Sequence, residues 1–271
     1  MKWLTVLLCC LMFSTANAAT VDTVSIYSPS MHRAARCIVV VPKSAQNNTR
    51  FPTVYLLHGY SGDYGNWLKK VPNIINYADE YQELIVCPDG GYSSWYLDSP
   101  IDTSMRYETY ISQEVPAYID AHYPTIANRA ARAITGLSMG GYGALFIGFR
   151  HASFFGACGS MSGGVDLHAS IGKFDVDKRI GDTAHYADSW TRFSLPYIIR
   201  AYPKDSLALI FDCGTEDFFY GVNHALHEEM LQLKIPHDYT ERPGGHTWFY
   251  WSNAVQFQLL YFKNYFEKTR P

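Results

Sequence analysis

The chain has no excess of basic residues, no metal-binding signature and, past its first residues, no long apolar run. Lys and Arg number 22 against 25 Asp and Glu, a formal charge of −3 over 271 residues. That balance leaves no electrostatic footprint for a nucleic acid or an acidic membrane surface. Neither C-x-x-C nor H-E-x-x-H occurs, so no zinc site is expected, and no other cofactor is called for. Cysteine is scarce. Beyond Cys9 and Cys10 there are only Cys37, Cys87, Cys158 and Cys213. Their wide separations resemble no compact disulfide framework, although an exported protein could pair them. A chain of this size needs no such staples. Each lies in or beside an apolar run, so buried free thiols are the expectation. There is no internal repeat, low-complexity tract or linker, and the length suits one domain with a single large core.

The N-terminus is different in kind. Met1-Lys2 is followed by an apolar run from Trp3 to Phe13 and then by Ala16-Asn17-Ala18. One basic residue, a short apolar stretch and an A-x-A ending read as a secretory signal peptide over residues 1–18, with cleavage after Ala18. The run is too short to span a membrane. Leu7 and Leu8 are bulky where a lipoprotein signal would place small residues before Cys9. The expectation is therefore a secreted or periplasmic protein whose mature part is residues 19–271. Aromatic residues are abundant at 15%, with 21 tyrosines. That richness suits either a cleft that stacks on sugars or aryl rings, or simply a tyrosine-rich surface.

Along the mature part, short apolar runs alternate with helical stretches. Strands are expected at Val21–Tyr27, Arg36–Val41, Thr53–Leu57, Leu84–Cys87, Ala131–Thr135, Gly156–Ser160, Leu207–Asp212 and Asp238–Arg242. Tyr107, Ile111, Val115, Tyr118 and Ile119 recur at helical spacing. Pro116 inside that run predicts a kink or break, because it lacks an N–H and its ring crowds the preceding turn. Gly140–Arg150, Gly221–Lys234 and Trp248–Lys268 read as further helices. Continuous rather than alternating apolar strands, separated by helices, predict a mostly parallel sheet buried on both faces. The fold class is α/β, in three layers. Gly163–Lys204 has no clear strand, though Ser189–Arg200 has helical character. So long an interruption is more often functional than idle, and a cap or substrate-facing wall is expected there.

The chemistry is concentrated in Gly136-Leu137-Ser138-Met139-Gly140. This is G-x-S-x-G directly after a strand and directly before a helix, the setting of a nucleophile elbow. The small residues let strand and helix cross closely and leave the Ser138 hydroxyl exposed above the strand ends. A hydroxyl is a weak nucleophile at neutral pH and needs a base. Among the downstream histidines only His246 follows the final strand in a Gly-rich loop, Pro243-Gly244-Gly245-His246; His224 and His227 fall on a helix. The acid that orients the imidazole should lie past the preceding strand. Asp212, Glu216 and Asp217 all qualify by position. Asp217, beyond the Gly214 turn, is best placed to reach His246. A tetrahedral intermediate needs two donors. The Met139 N–H, just after the nucleophile, and the Tyr60 N–H, in the loop after Thr53–Leu57, are the candidates.

With these residues in hand, the chain resembles the esterase D-like family of α/β hydrolases. That group takes in acetyl-xylan and feruloyl esterases of carbohydrate esterase family one, tributyrin-type esterases, S-formylglutathione hydrolases and mycolyltransferases. The resemblance runs from about Arg50 to Phe266. It rests on Leu56-Leu57-His58-Gly59-Tyr60, Asn66-Trp67, Pro88-Asp89-Gly90-Gly91, Ser94-Trp95-Tyr96, Tyr107-Glu108-Thr109-Tyr110, the serine motif, Gly214-Thr215-Glu216-Asp217 and Gly245-His246-Thr247-Trp248. It implies the α/β-hydrolase fold, a Ser138–His246–Asp217 triad, and Tyr60 and Met139 as oxyanion donors. Thr247 stands where relatives often carry an acid. Trp95 and Tyr96 are candidates to line the acyl or sugar pocket, with packing under the loop as the alternative. Asp98 reads as a loop charge and Glu108 as a structural residue at a helix start.

The functional expectation is a secreted serine carboxylesterase that takes a small ester or acylated carbohydrate. Secretion and aromatic richness favour acetyl or feruloyl esters of plant cell-wall carbohydrate. Two other classes remain open: an acyltransferase of the mycolyltransferase type, and a non-catalytic carbohydrate-binding module, whose sign would be a broken triad.

Overall fold

The computed structural model of the chain describes residues 18–47, 49–201 and 207–269. The signal-peptide assignment, apart from its last residue, lies outside the described residues. Eight strands form one sheet in the order β1-β2-β4-β3-β5-β6-β7-β8. They are β1 (Thr20–Ser28), β2 (Arg33–Val41), β3 (Thr53–Leu57), β4 (Leu84–Pro88), β5 (Arg132–Gly136), β6 (Ala157–Met161), β7 (Ala208–Gly214) and β8 (Asp238–Arg242). From β4 to β8 all neighbours are parallel; β1 and β2 form an antiparallel hairpin on one edge.

The continuous apolar strands are those buried on both faces. Every residue of β3, β4, β5 and β6 is buried. Period-two alternation sends their side chains into two separate cores. Tyr55, Leu57, Val86, Ile134 and Cys158 join one core with Ile111, Leu145 and Phe146 from the helices over that face. Val54, Leu56, Ile85 and Ala133 join the other with Trp67, Ile74, Leu259 and Phe262. Helices on both faces of a mostly parallel sheet make the three layers that continuous apolar patterning requires.

Cys37 and Cys87 lie on neighbouring strands, yet they point into opposite cores. All four described cysteines are free and buried. Burial pushes their thiols well up, which keeps them protonated and inert.

Two local features differ from sequence expectation. Residues 107–122 do not break at Pro116. The helix passes through a π turn at Tyr110–Glu114 and resumes as Val115–His122, with the proline in its first turn. An extra residue in the turn absorbs a position whose N–H cannot bond. Two helices, Asn66–Lys70 and Ile74–Tyr81, also fill the connection between β3 and β4. Among the described residues of 163–204 there is no strand. The segment carries short helices at Asp177–Ile180, Ala187–Phe193 and Leu195–Ala201. Trp190 braces it internally by donating to the Gly181 carbonyl at 2.9 Å, and Tyr142 anchors it by donating to the Phe193 carbonyl at 2.7 Å.

Candidate active site

The site forms where the parallel strands end. Only Leu137 and Ser138 separate β5 from the helix Met139–Arg150. The chain turns at Ser138, whose φ of 55° and ψ of −118° are unusual for a residue with a side chain. Ser138 N–H donates to the Met161 carbonyl at 2.8 Å, which ties the bend to β6. Gly140 is required by contact rather than flexibility. A Cβ there would lie 2.5 Å from the His58 carbonyl oxygen and 2.7 Å from that of Leu57.

His246 and Asp217 arrive from the ends of β8 and β7, and backbone hydrogen bonds lace their loops together. Thr215 N–H donates to the Arg242 carbonyl at 2.9 Å, and Glu216 N–H to the Gly244 carbonyl at 3.0 Å. Gly214 allows this approach, since a Cβ there would sit 2.1 Å from the Gly244 oxygen. His246 Nδ1 consequently lies 2.8 Å from Asp217 Oδ2 and 3.0 Å from Oδ1. His246 Nε2 lies 2.8 Å from Ser138 Oγ. A carboxylate accepts only, so Nδ1 carries the imidazole proton and Nε2 is free to accept from the serine hydroxyl. The Asp217 side chain is fully buried, and its Oδ1 also accepts the Phe219 N–H at 2.8 Å. The structure thus brings Ser138, His246 and Asp217 into one hydrogen-bonded line.

The other two carboxylates considered at the end of β7 do not reach the imidazole. Asp212 lies beneath the site, 3.2 Å from Arg242 and accepting from Gln258 at 2.9 Å. Burial pushes its carboxyl up to about 6. Glu216 has only its backbone in this lacing. Thr247 starts the helix Trp248–Thr269, its hydroxyl accepting the Tyr250 N–H at 3.4 Å.

Tyr60 and Met139 both border the serine. Among the described residues, neither backbone N–H donates to another backbone carbonyl. Two unengaged N–H groups beside a nucleophile are what a developing oxyanion needs. Sequence reasoning underrated His58, which holds this loop. It is 1% exposed. Its Nε2 accepts the Gly90 N–H at 2.8 Å, so its Nδ1 carries the proton and donates to the Gly59 carbonyl at 2.8 Å. One imidazole thereby pins the Tyr60 loop to the end of β4. The signal was in the sequence: a histidine at a strand end facing a Pro-Asp-Gly-Gly turn.

Trp95 and Tyr96 do not line the cleft. They are 1% and 0% exposed and lie under the elbow. Trp95 N–H approaches Met139 Sδ at 3.4 Å, its indole donates to the Phe174 carbonyl, and Tyr96 donates to the His58 carbonyl at 2.9 Å. Both adopt positive φ, at 53° and 56°. Asp98 accepts from Thr109 and pairs with Arg106 at 3.0 Å, and Glu108 is held by Arg150 and His151. The cleft over Ser138, about 310 Å³, is instead walled by Tyr60, Phe174, Phe218, Trp248 and Trp251. Phe174 is the contribution of the expected cap segment. No group of metal-ligating side chains occurs among the described residues.

The model of the Esterase family matches residues 28–262 of this chain. The acetyl esterase of Caldicellulosiruptor saccharolyticus is 27% identical over 215 residues, which is 75% of this chain and 80% of that protein. The diacylglycerol acyltransferase/mycolyltransferase Ag85A of Mycobacterium bovis is 29% identical over 181 residues, 63% of this chain; the match spans about half, 51%, of that relative. A ferulic acid esterase of known structure superimposes with a TM-score of 0.78 at 28% identity, covering 92% of this chain and 100% of that one. The chain belongs to the Esterase family, and it is a serine carboxylic ester hydrolase of α/β-hydrolase fold.

Proposed function

We propose that the chain is a secreted carboxylesterase that hydrolyses acetyl or feruloyl esters of plant cell-wall carbohydrate through an acyl-serine. The observation that carries the reading is the line Asp217–His246–Ser138, with both links at 2.8 Å and the serine at the floor of an aromatic cleft. Ser138 Oγ attacks the ester carbonyl carbon as His246 Nε2 takes its proton. Charge develops on the carbonyl oxygen, where the Tyr60 and Met139 N–H groups receive it. Asp217 holds the imidazole tautomer and stabilises the imidazolium. The carbon–oxygen bond to the alcohol then breaks, and His246 returns the proton to the departing oxygen. Water enters, gives its proton to His246 and attacks the acyl-serine; the acid leaves and Ser138 regains its proton.

Support for the substrate class comes from the likeness to an acetyl esterase and a ferulic acid esterase, and from aromatic walls suited to a flat acyl group or a sugar face. The expected outcome is that Ser138→Ala loses nearly all turnover of p-nitrophenyl acetate while its circular dichroism is unchanged. Near wild-type turnover in that variant refutes the mechanism. Relative kcat/KM on acetylated xylan, methyl ferulate and short p-nitrophenyl esters then decides the acyl group. Likeness to Ag85A favours a second reading, acyl transfer. Acyl-sugar rather than free acid on addition of an acceptor sugar would establish it. Secretion is tested by N-terminal sequencing of exported protein, which should begin at Ala19.

A further inference from the structure

A second cleft, about 530 Å³, lies beside the first and shares Gly62 with it. Its far wall is a consequence of strand register. β2 pairs with β4 only from Cys37 onward, while its pairing with β1 runs back to Arg33. The first residues of β2 therefore overhang the end of β4, on the catalytic side of the sheet. They bring Arg33 and Arg36 to the cleft from the two faces of the strand, Arg33 on the Tyr107 side and Arg36 on the Tyr64 side, and Asp89 and Tyr92 line it with them. The loop from Gly59 to Gly62 lines the first cleft, and its Gly62 lines both. It is held by a hydrogen bond from Ser61 N–H to the Tyr92 carbonyl at 2.7 Å and by the Tyr60–Tyr92 ring contact at 5.0 Å.

The two guanidiniums are held by tyrosines, not by acids. Arg33 donates to the Tyr107 hydroxyl at 2.6 Å and Arg36 to the Tyr64 hydroxyl at 2.9 Å; each also lies over the ring it donates to. Neither forms an ion pair with a carboxylate among the described residues. Tyrosine fixes the direction of a guanidinium without neutralising it, and several of its N–H donors stay available. Asp89 is the one acid lining the cleft, and it already accepts the Gly91 N–H at 2.7 Å. Two positive charges against one negative suit a monoanion better than a doubly charged phosphate. The exposed Tyr92 ring adds a flat apolar face, and Asp89 an acceptor for hydroxyls. A flat face, an acceptor and a pair of forked donors together match a pyranose that carries a carboxylate.

We propose that this cleft is a subsite for a uronic-acid unit on the alcohol side of the ester, its carboxylate facing Arg33 and Arg36. The proposal rests on the carbohydrate-ester reading and adds a charge requirement to it. The substrate class becomes an acylated acidic glycan.

The test compares kcat/KM on acetylated oligogalacturonide with that on the same material after its carboxylates are reduced to alcohols. Wild type should prefer the charged substrate by about three- to tenfold, through KM, as two exposed ion pairs allow. The double variant Arg33→Gln/Arg36→Gln should lose that preference and keep wild-type turnover of p-nitrophenyl acetate. Equal rates on the two glycans in wild type, or a preference that survives in the double variant, overturns the proposal. Hydrolysis of p-nitrophenyl acetate and of the reduced glycan reports separately on the ester chemistry. The subsite is also tested without catalysis. Calorimetry with unesterified oligogalacturonide and the Ser138→Ala protein should show binding that the two arginine substitutions remove. No binding there, or inorganic phosphate bound as tightly as the oligogalacturonide, overturns it.

Discussion

The ring of Phe218 lies 4.2 Å from that of His246, centroid to centroid, and Phe218 directly follows Asp217 in the chain. The turn that delivers the acid therefore also delivers a cover for the imidazole. Phe174 also stacks on Phe218, at 6.0 Å. Phe218 itself is 62% exposed, so its packing contributes little to folding.

Phe218→Ala should consequently separate catalysis from stability. An aromatic contact is worth about 1 kcal/mol, so kcat/KM for aryl esters should fall about tenfold or less while unfolding free energy changes by under ~1 kcal/mol. Steady-state kinetics and urea unfolding measure the two quantities. Unchanged kcat/KM would show that the ring neither steadies His246 nor contacts substrate.

The Ser138 backbone stores strain that a residue without a Cβ would release. Positive φ in a non-glycine residue costs about 1–3 kcal/mol. Ser138→Gly should abolish esterase activity and raise the melting temperature by roughly 2–4 °C per kcal/mol released. A variant that melts below wild type would mean the elbow is relaxed as it stands.

His58 touches no reacting atom in the proposed mechanism and acts as a positioning residue. Its removal in His58→Ala leaves the Gly90 N–H without its acceptor and frees the Tyr60 loop. A lost oxyanion donor lowers kcat by about 10²–10³, and partial misplacement should cost at least tenfold with KM little changed. His58→Gln, which restores an acceptor, should recover part of kcat. An effect of the Ala variant confined to stability would remove the loop-positioning role.

Asp212 makes stability depend on pH in an unusual direction for a carboxylate. Its folded value of about 6 lies above its ordinary range because burial disfavours the charged form. Between roughly pH 4 and 6 the folded chain keeps a proton that the unfolded chain has released, so this group's contribution falls as pH rises through that window. The drop is on the order of 2 kcal/mol. Urea unfolding at pH 4 and pH 7 should show that unfolding free energy at pH 7 minus that at pH 4 is more positive in Asp212→Asn than in wild type by that amount. Identical changes in both proteins would place the Asp212 carboxyl at its ordinary value.

The parallel sheet was legible because burial on both faces demands continuous apolar runs, and each of the eight expected strands overlaps an observed one. Ser138, Asp217 and His246 were legible because tight turns leave glycine signatures around them. The helices at Asn66–Lys70 and Ile74–Tyr81 are short and leave little periodicity in the sequence, where Ile74 and Ala78 alone mark a buried face at i, i+4 spacing. The place of Trp95 and Tyr96 after β4 leaves two roles open, a pocket wall or packing under the loop. Large rings near a catalytic strand end serve a pocket or its foundations equally well, and only their burial and partners in the folded chain distinguish the two.

By itself the sequence determined what is set by local pattern and chemistry: the layered fold, the strained serine, and the residue types able to activate it. Tertiary structure alone decided which aromatics face the ester. It also decided that Arg33 and Arg36 overhang the catalytic edge. Those outcomes depend on strand register and on backbone direction between segments far apart in the chain. No local pattern of side chains encodes either quantity.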